Sequence, residues 1–260
     1  MAIVFKQWPY IINMKIDIVY KIGIKSQWDN YEELKYSIRS FVKNFQDLGN
    51  IYIIGYKPEW LQNVNHIECD DPYKHNKDAN LILKLIMPCF DANLSDNFLN
   101  MSDDYFAIKP FDISFFEYAL INNTPINNIT NKQNKNEAIN KWEARIKNSI
   151  LALKQKGFEG NCYETHMPTL YNKKSYPKTI LQYCWGEGVG MVGNTLYFNS
   201  IKAKNRIIET SDLLRITDAS NGSRLNDNNF MFLNISSKAC VKEIKEFLQN
   251  NFPEKSKFEK

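Results

Sequence analysis

Buried strands and amphipathic helices alternate along the first part of the chain. Residues 15–20 are short, β-branched and apolar, which predicts a strand covered on both faces of a sheet. Apolar positions recur at helical spacing over 34–45, after Asn30 and Glu33, whose spacing predicts a capping box. Residues 50–55 predict a second buried strand. The strand–helix–strand order therefore predicts a parallel crossover in an α/β protein.

The remaining pattern predicts further strands and helices, with no internal repeat or linker. We therefore expect a single domain over residues 1–260 with a mixed, mostly parallel sheet flanked by helices. Residues 122–135 are rich in Asn and lack a period, which predicts a loop or lid. The other predicted elements are strands at 64–68, 98–101 and 195–198, and helices at 77–87, 134–156 and about 237–251.

Composition excludes several classes of protein. A chain of 260 residues with 43% hydrophobic residues can bury a core without a metal or disulfide, so any metal would serve function. No run of about 18 apolar residues is present, and residues 1–14 predict neither a membrane span nor a secretory signal. We therefore expect a cytoplasmic protein.

Charge and cysteine content narrow the class further. The net charge of +4 comes without clustered Lys and Arg, which favours an anionic ligand over charge-driven binding of DNA. The five cysteines are scattered and form no C-x-x-C pair, which predicts reduced thiols.

The strongest candidates for chemistry are two adjacent acids, Asp103 and Asp104. They follow the predicted strand at 98–101, at the edge of an open α/β sheet where ligands bind. Adjacent carboxylates repel one another, and a divalent cation relieves that repulsion. Mg²⁺ and Mn²⁺ prefer carboxylate oxygens and keep positions open for phosphate, so the pair predicts a metal-bound nucleoside diphosphate. The alternative is a plain acidic turn.

Two other features have both a chemical and a structural interpretation. His166 precedes Met167 and Pro168, and is either a metal ligand or general base, or a histidine with a structural role. The glycines of residues 186–190 (GEGVG) lack the Lys-Ser/Thr of a P-loop, so we expect a mobile loop. No sequence signature of a hydrolase triad is present.

Several stretches resemble, in their common order, the Stealth family of sugar-phosphate transferases. Residues 15–20 (KIDIVY) are similar to its opening I-D-x-V-Y strand, and residues 33–40 (ELKYSIRS) to its E-L-R-Y-S-L-R-S helix. Further matching stretches are residues 51–53 (IYI), 58–61 (PEWL), 98–106 (FLNMSDDYF), 166–168 (HMP) and 252–259 (FPEKSKFE). The resemblance implies a core like that of the GT-A glycosyltransferases.

The resemblance also implies a site. A nucleotide-sugar donor, with a UDP-sugar favoured, would lie across the carboxyl ends of the strands after Tyr20 and Met101, and the acceptor would be a glycan or modified nucleic acid. Asp103, Asp104 and His166 would hold Mn²⁺ or Mg²⁺, with Asp104 and His166 as catalytic residues. Candidate donor contacts are Tyr20, Lys21, Arg39, Lys77, Asp78 and Asp103.

The chain also departs from the Stealth pattern. Residues 21–24 (KIGI) replace the family's W-V-D-G, the arginine-rich stretch after H-x-P is missing, and residues 232–235 (FLNI) replace C-L-N-D. These departures favour transfer of a sugar over transfer of sugar-1-phosphate. Three hypotheses therefore stand: a metal-dependent glycosyltransferase, a sugar-1-phosphate transferase in capsular or surface polysaccharide synthesis, and a non-catalytic nucleotide- or carbohydrate-binding protein.

Overall fold

The chain folds into strands and helices that alternate for most of its length. The computed structural model describes residues 15–26, 28–218, 224–225, 229–236, 239 and 242–260. The strands are β1 (Ile16–Ile22), β2 (Leu48–Gly55), β3 (Asn65–Ile67), β4 (Asn97–Met101), β5 (Tyr105–Ala107), β6 (Ala119–Ile121), β7 (Thr169–Asn172), β8 (Asn205–Ile207), β9 (Leu213–Ile216) and β10 (Phe232–Ile235). The α-helices are α1 (Glu32–Asn44), α2 (Lys77–Ile86), α3 (Thr124–Asn134), α4 (Lys141–Gln155), α5 (Ser175–Ile180), α6 (Gly193–Ser200) and α7 (Lys242–Asn251).

The central sheet has five strands in the order β3-β2-β1-β4-β7. The pairs β2–β3, β1–β2 and β1–β4 are parallel, whereas β7 runs antiparallel to β4. Helices cover both faces, since alternate residues of β1 enter different apolar cores. Ile18 and Tyr20 pack with α1, and Val19 packs with α2, α5 and α6. The predicted fold class, a mixed and mostly parallel sheet flanked by helices, is confirmed.

A second, smaller sheet adjoins the end of β4. Its order is β5-β10-β9, and residues 102–104 join β4 to β5. Phe106, Leu233 and Leu214 share a core with α7 on one face of this sheet. On the other face Phe232 enters the core beneath α1. Both sheets are therefore anchored by apolar contacts on either side of the turn at 102–104.

Two predicted elements have the wrong type. Residues 195–198, predicted as a strand, lie in α6, because Thr195–Asn199 are all buried and an all-round apolar segment has no diagnostic period. The predicted loop at 122–135 contains α3, which buries Pro125 and Ile129 despite its Asn-rich sequence. Packing overrides weak helix propensity here.

Two predicted helix starts are also wrong. The capping box at Asn30 does not form, because Asn30 and Tyr31 have left-handed φ values of 52° and 56° and α1 begins at Glu32. The helix predicted from 134 begins at Lys141, where Asn140 and Glu143 form a capping box. The predicted start of the last helix at 237 lies outside the described residues, and that helix ends at Asn251.

The described cysteines agree with the expectation of free thiols. Cys69, Cys89, Cys162 and Cys184 are unpaired, and Cys240 lies outside the described residues. The stretch 1–14 also lies outside them. Among the helices that the structure describes, none is both long and apolar enough to cross a membrane.

The aromatic cluster between the two sheets yields a stability prediction. The Phe41 side chain is 0% exposed and its ring contacts those of Phe45, Phe111 and Phe232. Phe41→Ala should lower the free energy of unfolding by about 3–5 kcal/mol, because it removes buried surface and leaves a cavity. Urea unfolding measures this loss. The control Phe90→Ala, whose side chain is 74% exposed, should stay within about 0.5 kcal/mol, and equal losses in both would contradict the packing.

Candidate active site

The carboxyl ends of β1 and β4 lie side by side in the central sheet. Tyr20 pairs with Met101 in the parallel register, so Lys21 and the turn at 102–104 lie next to each other where these strands end. Asp103 and Asp104 are both half-buried in that turn. The predicted acidic pair therefore lies at the ligand-binding edge of the sheet, as its position after a buried strand implied.

The surroundings of Asp103 and Asp104 disfavour the ionised form of both carboxyl groups. Burial and, to a smaller extent, the charge of the nearby Asp103 raise the pKa of Asp104 to about 7, against the opposing effect of the Asn234 amide. Burial also raises the pKa of Asp103, against backbone hydrogen bonds and the charges of Lys77 and Lys21. Asp104 Oδ1 is buried and has no hydrogen-bond partner among the described residues. The site therefore presents an oxygen that lacks a donor or a cation.

Asp17, at the opposite end of β1, is a carboxylate with a structural role and serves as a comparison for Asp104. Its Oδ1 accepts a hydrogen bond from the backbone N–H of Asn50 at 2.6 Å, and its Oδ2 accepts one from that of Ser95 at 2.8 Å. Each oxygen of this buried acid therefore has a donor, as buried polar groups usually do. Among the described acids, Asp104 is the one with a buried carboxylate oxygen that has no hydrogen-bond partner.

Two of the predicted donor contacts are cations beside the acidic pair. Burial lowers the pKa of Lys21 to about 8, and the charges of Glu164, Asp104, Asp103 and Asp78 oppose this shift. Lys77 is exposed in the first turn of α2, and its charge acts on both Asp103 and Asp104. In the described part of the chain, no hydrogen bond or ion pair engages either ammonium group. Both are therefore available to an anionic ligand.

Sequence reasoning missed Glu164, which belongs to the same cluster. Its Oε1 accepts hydrogen bonds from the Thr195 backbone N–H at 3.1 Å and from Thr195 Oγ1 at 3.2 Å. Burial raises its pKa to about 7, while Lys21 opposes the shift. The sequence signal was present, since Glu164 lies two residues before His166, but its neighbours on α6 were predicted to form a strand.

Sequence reasoning also missed a polar row on the small sheet. Tyr105, Asn234 and Arg215 pair in register across β5, β10 and β9, so their side chains share one face. Asn234 Nδ2 donates to the Asp104 carbonyl oxygen at 3.3 Å. A polar residue within each of the apolar stretches 213–216 and 232–235 was the available signal.

His166 lies in the segment before β7, where the charge of Arg215 acts on it. Burial and, to a smaller extent, the positive charge of Arg215 lower the pKa of the His166 imidazole to about 4, so the ring is neutral at pH 7. Its backbone φ is 57°, and its ring lies 6.2 Å from that of Trp142. Within the described ranges, no three His, Cys, Asp or Glu side chains are grouped as metal ligands. The predicted three-residue set of Asp103, Asp104 and His166 is therefore not assembled.

The structure gives Arg39 a role other than the predicted donor contact. On α1, its Nε and Nη2 bind both carboxylate oxygens of Glu259 at 2.8 and 2.6 Å, and its Nη1 donates to the Phe252 carbonyl. These bonds hold the C-terminal segment against α1. The partner of Arg39 is 220 residues away in the sequence, so no local pattern pointed to this ion pair.

The side chains of Tyr20 and Asp78 are also engaged elsewhere. Tyr20 is fully buried, and its hydroxyl is hydrogen-bonded to Ser37 Oγ at 2.9 Å beneath α1, so this side chain cannot reach a ligand. Asp78 forms an ion pair with Arg145 Nη1 at 2.6 Å, so it joins α2 to α4 beside the site. Both side chains thus have partners within the protein, Ser37 for Tyr20 and Arg145 for Asp78.

The glycine-rich loop at 186–190 packs against the start of α2. A Cβ atom on Gly190 would lie 2.3 Å from Asn76 Nδ2, so only glycine allows this approach. The Asn76 side chain caps α2 by accepting a hydrogen bond from the Ala79 N–H at 3.1 Å. The loop thus supports the helix that carries Lys77.

Comparisons with known proteins give a structural likeness only. No protein-family model and no curated protein sequence matches the chain. The apo form of the glycosyltransferase GlyE of Streptococcus pneumoniae TIGR4 is similar at 11% identity and a TM-score of 0.42, over 92% of this chain and 64% of that chain. A second structure of GlyE gives 12% identity and a TM-score of 0.42, over 93% and 64%. The chain thus spans 64% of the length of these solved structures.

The unpartnered acid yields a prediction about pH and stability. The pKa of Asp104 is about 7 in the fold against an ordinary 3.8, so the folded state binds this proton more tightly and stability falls as pH rises through that window. Asp104→Asn removes the charge and should raise the melting temperature at pH 8, by roughly 2–4 °C for each kcal/mol of repulsion relieved. The gain should shrink towards pH 4.

Differential scanning calorimetry without added metal measures this gain. The control Asp70→Asn changes an exposed acid and should leave the melting temperature unchanged at both pH values. A lower melting temperature for Asp104→Asn at pH 8 would show that the folded protein stabilises the ionised carboxylate.

Proposed function

We propose that this chain is a nucleotide-sugar-dependent glycosyltransferase whose donor diphosphate binds at the turn formed by residues 102–104. The observation that carries the proposal is the pair Asp103 and Asp104 at the end of β4, with an unpartnered carboxylate oxygen and two unengaged ammonium groups beside it. A ligand suited to this site must satisfy both charge signs, and a metal-bound diphosphate does so. The sequence resemblance to Stealth and GT-A transferases supports the same class.

The residues present fit a divalent cation. Mg²⁺ is commonly bound by one or two carboxylates together with substrate phosphates, rather than by a cage of protein ligands. Asp103 and Asp104 would hold Mn²⁺ or Mg²⁺ in this way, and the free Oδ1 of Asp104 supplies a suitable oxygen. When bound, such an ion supplies electrostatic stabilisation of charge on the leaving phosphate.

Lys21 and Lys77 would bind the phosphate oxygens of the donor. An ammonium group forms charge-assisted hydrogen bonds with phosphate, which are stronger than neutral ones. The negative charge of Glu164 also acts on Lys21 and favours the charged form of the lysine against burial. Thr195 fixes the carboxylate of Glu164 in turn, so α6 helps to keep Lys21 charged and oriented.

His166 would orient the acceptor hydroxyl rather than remove its proton. A general base works best when its pKa is near the working pH, and the pKa of His166 is about 4. A neutral imidazole can still accept a hydrogen bond from a hydroxyl group. Glu164, whose pKa is about 7, is better matched to proton transfer at neutral pH.

The first test identifies the bond that is broken. The protein is incubated with a panel of nucleotide sugars and Mn²⁺, and the released nucleotide is identified by mass. Glycosyl transfer releases the nucleoside diphosphate, whereas sugar-1-phosphate transfer, the alternative within the resembled family, releases the monophosphate.

Asp104→Asn should lower turnover by about 10²–10³-fold, equivalent to roughly 3–4 kcal/mol of lost stabilisation.

Asp70→Asn is the control for this assay, because it removes one acid from an exposed position and leaves Asp103 and Asp104 unchanged. Equal release by wild type and Asp104→Asn would refute the metal site. Metal-dependent thermal stabilisation by UDP without any release would instead favour the non-catalytic binding protein.

A second prediction concerns the ammonium group of Lys21. Lys21→Met should raise the KM for the donor by about 10-fold or more, because a charge-assisted hydrogen bond contributes roughly 1.5–3 kcal/mol. Lys25→Met is the matched control, since Lys25 follows shortly after β1 but is exposed. Steady-state kinetics in donor concentration distinguish the two, and an equal KM in both variants would remove Lys21 from the donor site.

A further inference from the structure

A second group of side chains, distinct from Lys21 and Lys77, is linked to Asp104 through the charge of Arg215. It consists of Arg215 on β9, His166 before β7 and Trp142 on α4. The charge of Arg215 acts on Asp104 and on His166, and the rings of His166 and Trp142 lie 6.2 Å apart. Three separate elements therefore bring a cation and two aromatic rings together beside the acidic pair.

Among the residues that the structure describes, no carboxylate forms an ion pair with Arg215, although the charge of Asp104 acts on it. Its place in the row with Asn234 and Tyr105 directs it to the face of the small sheet that adjoins Asp104. In the part of the chain that the structure describes, no hydrogen bond or ion pair engages its side chain, which remains reachable from solvent. By contrast, Arg39, Arg145 and Arg206 each bind a carboxylate at 2.8 Å or less.

His166 and Trp142 add an aromatic surface next to this cation. Their rings are inclined by 32°, and both side chains are partly exposed. His166 is neutral at pH 7, so Arg215 supplies the positive charge of this group. An aromatic surface packs against the apolar face of a sugar ring, and polar groups around it fix the orientation of the ligand.

We propose that Arg215, His166 and Trp142 form the acceptor subsite, and that this subsite takes a sugar carrying an anionic substituent. The guanidinium fork would bind a carboxylate or phosphate group through two hydrogen bonds, while the sugar ring packs on Trp142. The inference rests on the proposed glycosyltransferase function and adds the class of acceptor. Arg215 is assigned to the acceptor because the charges of Lys21 and Lys77 act on Asp103 and already serve the donor in the proposed function, whereas Arg215 is grouped with His166.

The test compares sugars that differ in charge. D-glucuronate, glucose 6-phosphate and D-glucose are titrated into the full chain with UDP and Mn²⁺ present, and binding is followed by ligand-observed NMR. Wild type should bind at least one of the two anionic sugars about 10-fold or more tightly than glucose, since a hydrogen bond to a charged group contributes that much. The preference between glucuronate and glucose 6-phosphate tells whether the substituent is a carboxylate or a phosphate.

Variants assign that preference to Arg215. Arg215→Gln should bring the ratio of anionic to neutral affinity close to one, and Arg215→Lys should keep part of it. Lys204→Gln removes an exposed positive charge elsewhere and should leave the ratio unchanged. The melting temperatures of both Arg215 variants are measured as well, and values equal to that of the wild type would show that the variants fold.

Two results would overturn the inference. The first is equal binding, or no binding, of charged and neutral sugars by wild type. The second is weaker binding of UDP by Arg215→Gln, which would place Arg215 in the donor site. Failure of the proposed function is distinct from both, because it appears as an absence of UDP binding and of donor cleavage in the wild type.

Discussion

Repulsion between Asp103 and Asp104 is the constraint around which this structure is built. The two acids occupy the turn that joins the central sheet to the small sheet, where burial strengthens their interaction and raises both pKa values. Such a turn is stable only if the segments on both sides are held independently. β4 is buried between two apolar cores, and β5 pairs with β10 over the core beneath α7. The hydrophobic cores thus offset the electrostatic cost of the pair.

Two acids of this chain, Asp17 and Asp104, differ in the hydrogen bonds that their carboxylate oxygens accept. At the amino end of β1, Asp17 accepts backbone hydrogen bonds on both oxygens and joins β1 to neighbouring segments. At the carboxyl ends, Asp104 keeps one oxygen without a donor. The acid with a structural role, Asp17, therefore lies at the amino end of β1, and the acid proposed to bind a ligand, Asp104, follows the carboxyl end of β4. In open α/β sheets, ligands bind in the crevice outside the carboxyl ends of the strands.

Site residues next to a predicted strand could be predicted from the sequence, whereas those brought in by strands distant in the sequence could not. Asp103 and Asp104 were predicted because a strongly apolar strand precedes them, and that signal is local. Lys21 was assigned through the adjoining strand and lies beside the pair. Arg215 and Asn234 were missed because β9 and β10 reach β5 through a non-local pairing that periodicity does not reveal.

The errors in the fold have physical causes too. Thr195–Asn199 are buried on every side, which removes the helical period, and Asn30 adopts a left-handed conformation where a capping box was expected. Arg39 was a candidate donor contact implied by the family resemblance, and it binds Glu259, which is 220 residues away in the sequence. Composition and period indicate what kind of element forms, whereas packing decides which polar side chains remain free.

The balance of charge explains how such a site accepts a strongly charged ligand. When all are ionised, the three carboxylates of Asp103, Asp104 and Glu164 face the two ammonium groups of Lys21 and Lys77, while Asp78 is neutralised by Arg145. A divalent cation and a diphosphate with one charge on each phosphate would enter together without changing this balance. Either alone would meet uncompensated charge in a half-buried site, which is costly. The arrangement therefore favours binding of the divalent cation together with the diphosphate over binding of either one alone. The positive charge of Arg215 is not needed for this balance and can bind a different anion.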